Sequence, residues 1–125
     1  MIMRYRDPVV YEAPSSVVMA ISISGKLTRE DYENFESEFE RVLATQDRVR
    51  LLILLDDFEG WTAGALWDDI KFDAKHFNDV DRIAIVGESK WEQAITFFYK
   101  PFTRAKVQYF DRADEQTARA WISSP

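Results

Sequence analysis

Apolar residues recur at two different periods along this chain, and the way those periods alternate predicts the fold. At 50–56, "RLLILLD" is apolar on successive positions. That pattern predicts a strand buried on both faces, the kind found at the centre of a sheet covered by helices. "RIAIVGE" at 82–88 repeats it and closes on glycine. Ahead of both, "DPVVYEAPSSVVMAISISGKL" predicts two strands, about 8–12 and 16–24, joined by a turn at Pro14-Ser15 and ended by Gly25. "AKVQYF" at 105–110 predicts a last strand.

Between the strands the period lengthens. Tyr32, Phe35, Phe39, Val42 and Leu43 fall at helical spacing and predict a helix over about 29–45. Thr28 is its natural N-cap, and Asp31 at the N3 position completes a capping box in which Glu or Gln is the usual partner. Ala63, Leu66, Ile70, Ala74 and Phe77 form one stripe, predicting a second helix over 63–77. Ser89 and Glu92 form a capping box for a third, which stops before Pro101. "DEQTARAWI" at 114–122 predicts a terminal helix with Ala118, Trp121 and Ile122 inward. The order ββαβαβαβα predicts an α/β fold: one domain over 1–125, with a mixed, mostly parallel sheet of about five strands and about four helices.

Composition narrows the function. The 125 residues are 46% hydrophobic and 30% charged, enough for one proper core. With 16 Lys+Arg against 22 Asp+Glu the net charge is −6, which argues against nucleic acid or anionic membranes as partners. The longest basic run, "RVR" at 48–50, is too short to reverse that. Absence of cysteine excludes disulfides, thiolate catalysis and thiolate-bound metals. A single histidine excludes a His-rich metal centre, and no carboxylate spacing matches an EF-hand, so no metal or cofactor is expected. "MIMRYRDPVV" lacks the apolar core of a signal peptide, and no apolar run approaches the roughly 20 residues of a membrane span. A cytoplasmic protein without a transmembrane segment is the expectation.

Motif chemistry is sparse. Gly25, Gly60, Gly64 and Gly87 form neither a dinucleotide fingerprint nor a P-loop, and there is no nucleophile elbow. The candidates cluster after the central strand. Asp56 and Asp57 lie at its predicted carboxyl end, the edge where open α/β sheets bind ligands. Neighbouring strand residues point to opposite faces, so a proton-sharing dyad is disfavoured and a role in the turn is the simpler reading. On the next helix Lys71 lies four residues after Trp67, and Asp69, Asp73 and His76 share a face away from the core. Such pairs support acid–base chemistry or simply the helix, and the second reading is favoured. An enzyme using His76, Lys71 and an aspartate is therefore the least supported function.

Trp61 and Trp91 both follow predicted strand ends at one sheet edge. With Trp67, they leave three roles open: the walls of an apolar pocket, a subunit contact, or closure of the core beneath the loops. The opening hairpin also leaves a sheet edge for a second copy, which makes a homodimer an expectation.

The succession "SGKLTREDYENF", "VRLLILLDDFEGW", "ALWDDIKFDAKHF", "RIAIVGESKWE" and "KPFTRAKVQYF…ARAWI" closely resembles the SpoIIAA-like proteins of the STAS superfamily over nearly the whole chain. The block "DDFEGW…LW.D.KF..KH" is its most specific part. The resemblance implies a mixed sheet with helices packed around it. It also implies kinship with non-enzymatic switches whose serine, in an Asp-Ser-x-Gly setting after the central strand, is phosphorylated by a partner kinase. Here the corresponding stretch is Trp61-Thr62-Ala63-Gly64: Thr62 stands in place of the acceptor serine, and Trp61 replaces the acidic residue. The wider family is likened to SEC14-type lipid-binding domains, although this chain is far shorter. The resulting expectation is a non-enzymatic STAS-like binding or regulatory module. It acts through Asp56, Asp57, Gly60, Trp61, Trp67, Lys71, His76 and Trp91, with Thr62 as candidate phospho-acceptor. Its partner is a protein or, in the alternative, a small apolar ligand or lipid.

Overall fold

The aliphatic run Leu51-Leu52-Ile53-Leu54-Leu55 occupies the middle strand of a five-stranded sheet, where both faces of the strand are covered. The computed structural model describes residues 9–14, 16–61, 75, 79–88 and 105–125, and of residues 26, 27 and 57–61 the backbone alone. The strands are β1 (Val9–Glu12), β2 (Val17–Leu27), β3 (Val49–Trp61), β4 (Val80–Gly87) and β5 (Lys106–Asp111), and they lie side by side in chain order. β1 runs antiparallel to β2, and every other pairing is parallel. The turn between β1 and β2 is closed by the Ala13 N–H, which donates to the Ser16 carbonyl at 2.8 Å.

Alternation along the strands sorts the core into two layers. Met19, Ile21, Ile23, Leu51, Ile53, Leu55, Ile83 and Ile85 face one side, where they meet Tyr32, Phe35 and Phe39 of α1 (Arg29–Leu43). Val18, Leu52, Ala84, Val86 and Phe110 face the other, where they meet Ala118 and Ile122 of α2 (Glu115–Ser123). A short 3-10 turn, Arg112–Asp114, joins β5 to α2. Among the described residues no helix is long and apolar enough to cross a membrane.

The helix-start signal at Thr28 holds. The Asp31 N–H donates to the Thr28 hydroxyl at 3.3 Å, and the Thr28 N–H donates to the Asp31 carboxylate at 2.9 Å. Aspartate thus substitutes for the usual glutamate in the box.

Two boundaries differ from expectation, for one reason. Gly25 does not end β2, which continues to Leu27, and β3 continues past Asp56 to Trp61. From Ser24↔Asp56 to Lys26↔Gly60, β2 advances two residues while β3 advances four. These bulges let the ladder survive a mismatch in length, and Gly25 makes the kink with a φ of 69°, a conformation open to glycine. Two α-helices are described where the sequence predicts about four. The predicted helices over 63–77 and from Ser89 lie outside the described residues, apart from Lys75, which is helical.

Candidate functional site

The carboxyl edge of the sheet is built around the unequal lengths of its strands. β3 pairs with β4 only as far as Leu54↔Val86, yet it pairs with β2 as far as Trp61↔Leu27. Residues 55–61 therefore project beyond the β3–β4 ladder, carried by β2 alone among the described strands. Asp56 and Asp57 thus lie near the strand's carboxyl end as the sequence predicts, but Trp61 does not follow the strand: β3 runs on through Gly60 to Trp61, which is its projecting end.

Asp56 sits where that projection begins. Its side chain is 71% exposed and ion-paired with Arg112, itself 51% exposed. The same guanidinium donates to the Leu55 carbonyl at 3.4 Å. Arg112 stands on the turn after β5, so its side chain reaches over the end of β4 to β3. An exposed pair of this kind is weak in water and holds little strain. It leaves Asp56 accessible, which suits recognition by a partner.

Beneath that bridge, β4 ends on Gly87, which is buried and extended rather than left-handed. A Cβ at this position would lie 3.0 Å from the Tyr109 hydroxyl and 3.1 Å from the Leu55 Cβ. A side chain here would be met tightly by β5 on one side and β3 on the other. The Tyr109 hydroxyl donates to the Glu88 carbonyl, fixing the point where the chain leaves β4.

Near α1, the Lys75 ammonium donates to the Glu40 carboxylate at 3.0 Å. That hydrogen bond, then the Glu40 charge, raises the Lys75 pKa above its ordinary 10.5, and Glu36 adds to the effect. Among the described residues no cluster of His, Asp and Glu could hold a metal ion.

Of the residues singled out from sequence, Asp56 is placed with its side chain, and Asp57, Gly60 and Trp61 are placed by backbone. Thr62, Trp67, Lys71, His76 and Trp91 lie outside the described residues. Gly87 falls at the edge the sequence indicates, at the close of its strand, whereas Arg112 and Tyr109 carry no sequence signal for a place there.

The sequence presents Arg50 only as part of a short basic run. In the structure it is buried and bonded to Asp81 at 3.0 Å and to the Ile122 carbonyl at 3.0 Å. A signal was present: Arg50 and Arg82 each open an otherwise apolar strand, and period-2 alternation puts Arg50 on the face of Leu52.

Comparison with known proteins agrees with this architecture. The family model described as SpoIIAA-like matches residues 18–123. No curated protein matches the chain. Among solved structures it is similar to one from Shewanella loihica PV-4, described as an uncharacterized protein from the DUF3478 family with a SpoIIAA-like fold. The two are 29% identical, with a TM-score of 0.75, over 92% of this chain and 91% of that one. With its five-stranded mixed sheet, α1 on one face and α2 on the other, the chain belongs to the SpoIIAA-like family of STAS-like proteins.

Proposed function

We propose that this chain is a single-domain, non-enzymatic binding or regulatory module of the cytoplasm, whose contact surface is the projecting end of β3 and the residues that follow it. The observation that carries this reading is the projection itself: the ladder to β4 stops at Leu54, while β3 runs on to Trp61. Such an extension carries the backbone beyond the β4 ladder, and an exposed Asp56 marks its base. Asp57, Gly60 and Trp61 continue it, and Thr62, Trp67, Lys71, His76 and Trp91 extend the surface along the chain. A protein partner fits best, because the strand combines an exposed Asp56 with an acidic and aromatic sequence through Trp61, the mixed composition of an interface core and rim.

Within this reading Thr62 is the phospho-acceptor. Thr62 directly follows the strand end, so a phosphate there would add negative charge to a stretch that already carries Asp56, Asp57 and Glu59. Phosphorylation accordingly weakens binding to an acidic partner and strengthens binding to a basic one.

The test compares affinity isolation from native-source lysate by the wild-type chain, Trp61→Ala, Asp56→Ala and the control Gln116→Ala on α2. A partner retained by wild type and the control but lost with both edge variants supports the reading. Equal retention by all four overturns it. For Thr62, intact-mass analysis of native-source protein should show a phosphorylated form, and Thr62→Glu should change partner retention. Neither effect being seen removes the phospho-switch.

A further inference from the structure

The two helices are attached to the sheet in different ways. α1 has fifteen residues, a complete capping box and three buried aromatic residues. α2 has nine residues, its N-cap residue Asp114 makes no capping bond through its side chain, and its fully buried anchors are Ala118 and Ile122. Trp121 adds a partly buried ring 5.9 Å from that of Phe110. Such a helix is marginal by itself.

Its carboxyl end is held instead by two arginines from the sheet. Arg50 Nη1 donates to the carbonyls of Ile122, at 3.0 Å, and Ser124. Arg82 Nη1 donates to the Trp121 carbonyl at 2.9 Å and to the Ser124 hydroxyl at 2.6 Å, and its Nη2 donates to the Pro125 carbonyl at 3.0 Å. The Arg82 guanidinium also lies over the Trp121 ring, 5.4 Å from its centroid. The Trp121 and Ile122 carbonyls belong to the last turn of the helix and those of Ser124 and Pro125 to the residues that follow it, and the cations suit the negative end of the helix dipole. Charge on Arg50 is balanced by Asp81, which is 36% exposed and so reachable by water.

We infer that α2 is a releasable strap, latched at its carboxyl end by Arg50 and Arg82, which opens as one unit while the strands beneath stay folded. Opening would bare Val18, Leu52, Ala84 and Val86 as one apolar face. Segments with few buried apolar anchors are the first to open in a native protein. The latch lies at the amino ends of β3 and β4, away from the projecting edge of β3, so it stands or falls independently of the binding reading.

Hydrogen exchange on the full chain, read by NMR residue by residue, tests this. In the wild type, amides of 118–122 should exchange at least tenfold faster than those of Leu52, Ile53, Ala84 and Ile85. Arg82→Leu keeps apolar contact with Trp121 and removes the carbonyl bonds. It should speed exchange in α2 roughly tenfold further and leave β3 and β4 unchanged. Arg50→Lys, which keeps the charge but loses the fork, should act the same way. Exchange of α2 in step with β3 and β4 in the wild type overturns the proposal. So does an equal loss of protection in helix and strands with Arg82→Leu.

Discussion

Asp56 of β3 stands opposite Ser24 of β2, and theirs is the last pairing before the two strands fall out of step. Beyond it the extra residues of β3 are absorbed by bulges, and the strand end is carried clear of β4. The candidate site thus depends on a local backbone device more than on any catalytic group.

Gly25 makes that device possible. With a φ of 69°, replacement by alanine forces a side chain into the left-handed region at a cost of about 1 kcal/mol. Urea unfolding of Gly25→Ala should show a lower midpoint at unchanged slope. An unchanged midpoint would mean that the kink does not constrain the backbone in solution.

Gly87 answers to a different constraint. A Cβ there meets the Tyr109 hydroxyl at 3.0 Å and the Leu55 Cβ at 3.1 Å. Gly87→Ala should cost about 1–3 kcal/mol through overpacking. The same denaturation experiment reads it, and a cost near zero would show that β3 and β5 can spread apart.

Asp56 should behave in the opposite way. Its pair with Arg112 is exposed on both sides, and exposed pairs are worth less than about 1 kcal/mol. Asp56→Asn should shift the unfolding free energy by less than about 0.5 kcal/mol. Any loss of partner binding in this variant is then attributable to the contact surface. A large loss of stability would instead make Asp56 a structural residue.

The Lys75–Glu40 pair carries a pH signature. Its hydrogen bond raises the lysine pKa above 10.5, so the stabilisation is complete below 10.5 and is lost as pH rises through the folded-state value. The side chain is exposed, so the effect on stability is small and weakened by salt. In an NMR titration, Glu40→Gln should bring the Lys75 pKa down towards 10.5, and an unmoved titration would contradict the pairing.

The sequence revealed some of this architecture because burial leaves a mark on residue type. Leu51 to Leu55 had to be central, since an aliphatic run needs apolar cover on both faces. Tyr32, Phe35 and Phe39 showed the inner face of α1 for the same reason. Strand ends were harder to read: Asp56 to Trp61 are held in the ladder by backbone bonds, which any residue type can make. Gly25 showed a break in pattern but not that the break is a bulge. Arg112 lies 56 residues from Asp56 in sequence, so spacing carried no trace of their meeting. Arg50 was misread because a charge is normally a surface residue, and only its place in the alternation of β3 pointed inward.

The projecting end of β3 is the surface proposed to meet the partner of this protein. Photo-crosslinking in native-source cells tests it most directly, with a benzophenone amino acid placed at position 61, at position 33 on α1 or at position 116 on α2. One adduct of defined mass is expected from position 61 and none from 33 or 116. Adducts from 33 or 116 with none from 61, or equal adducts from all three, would contradict it.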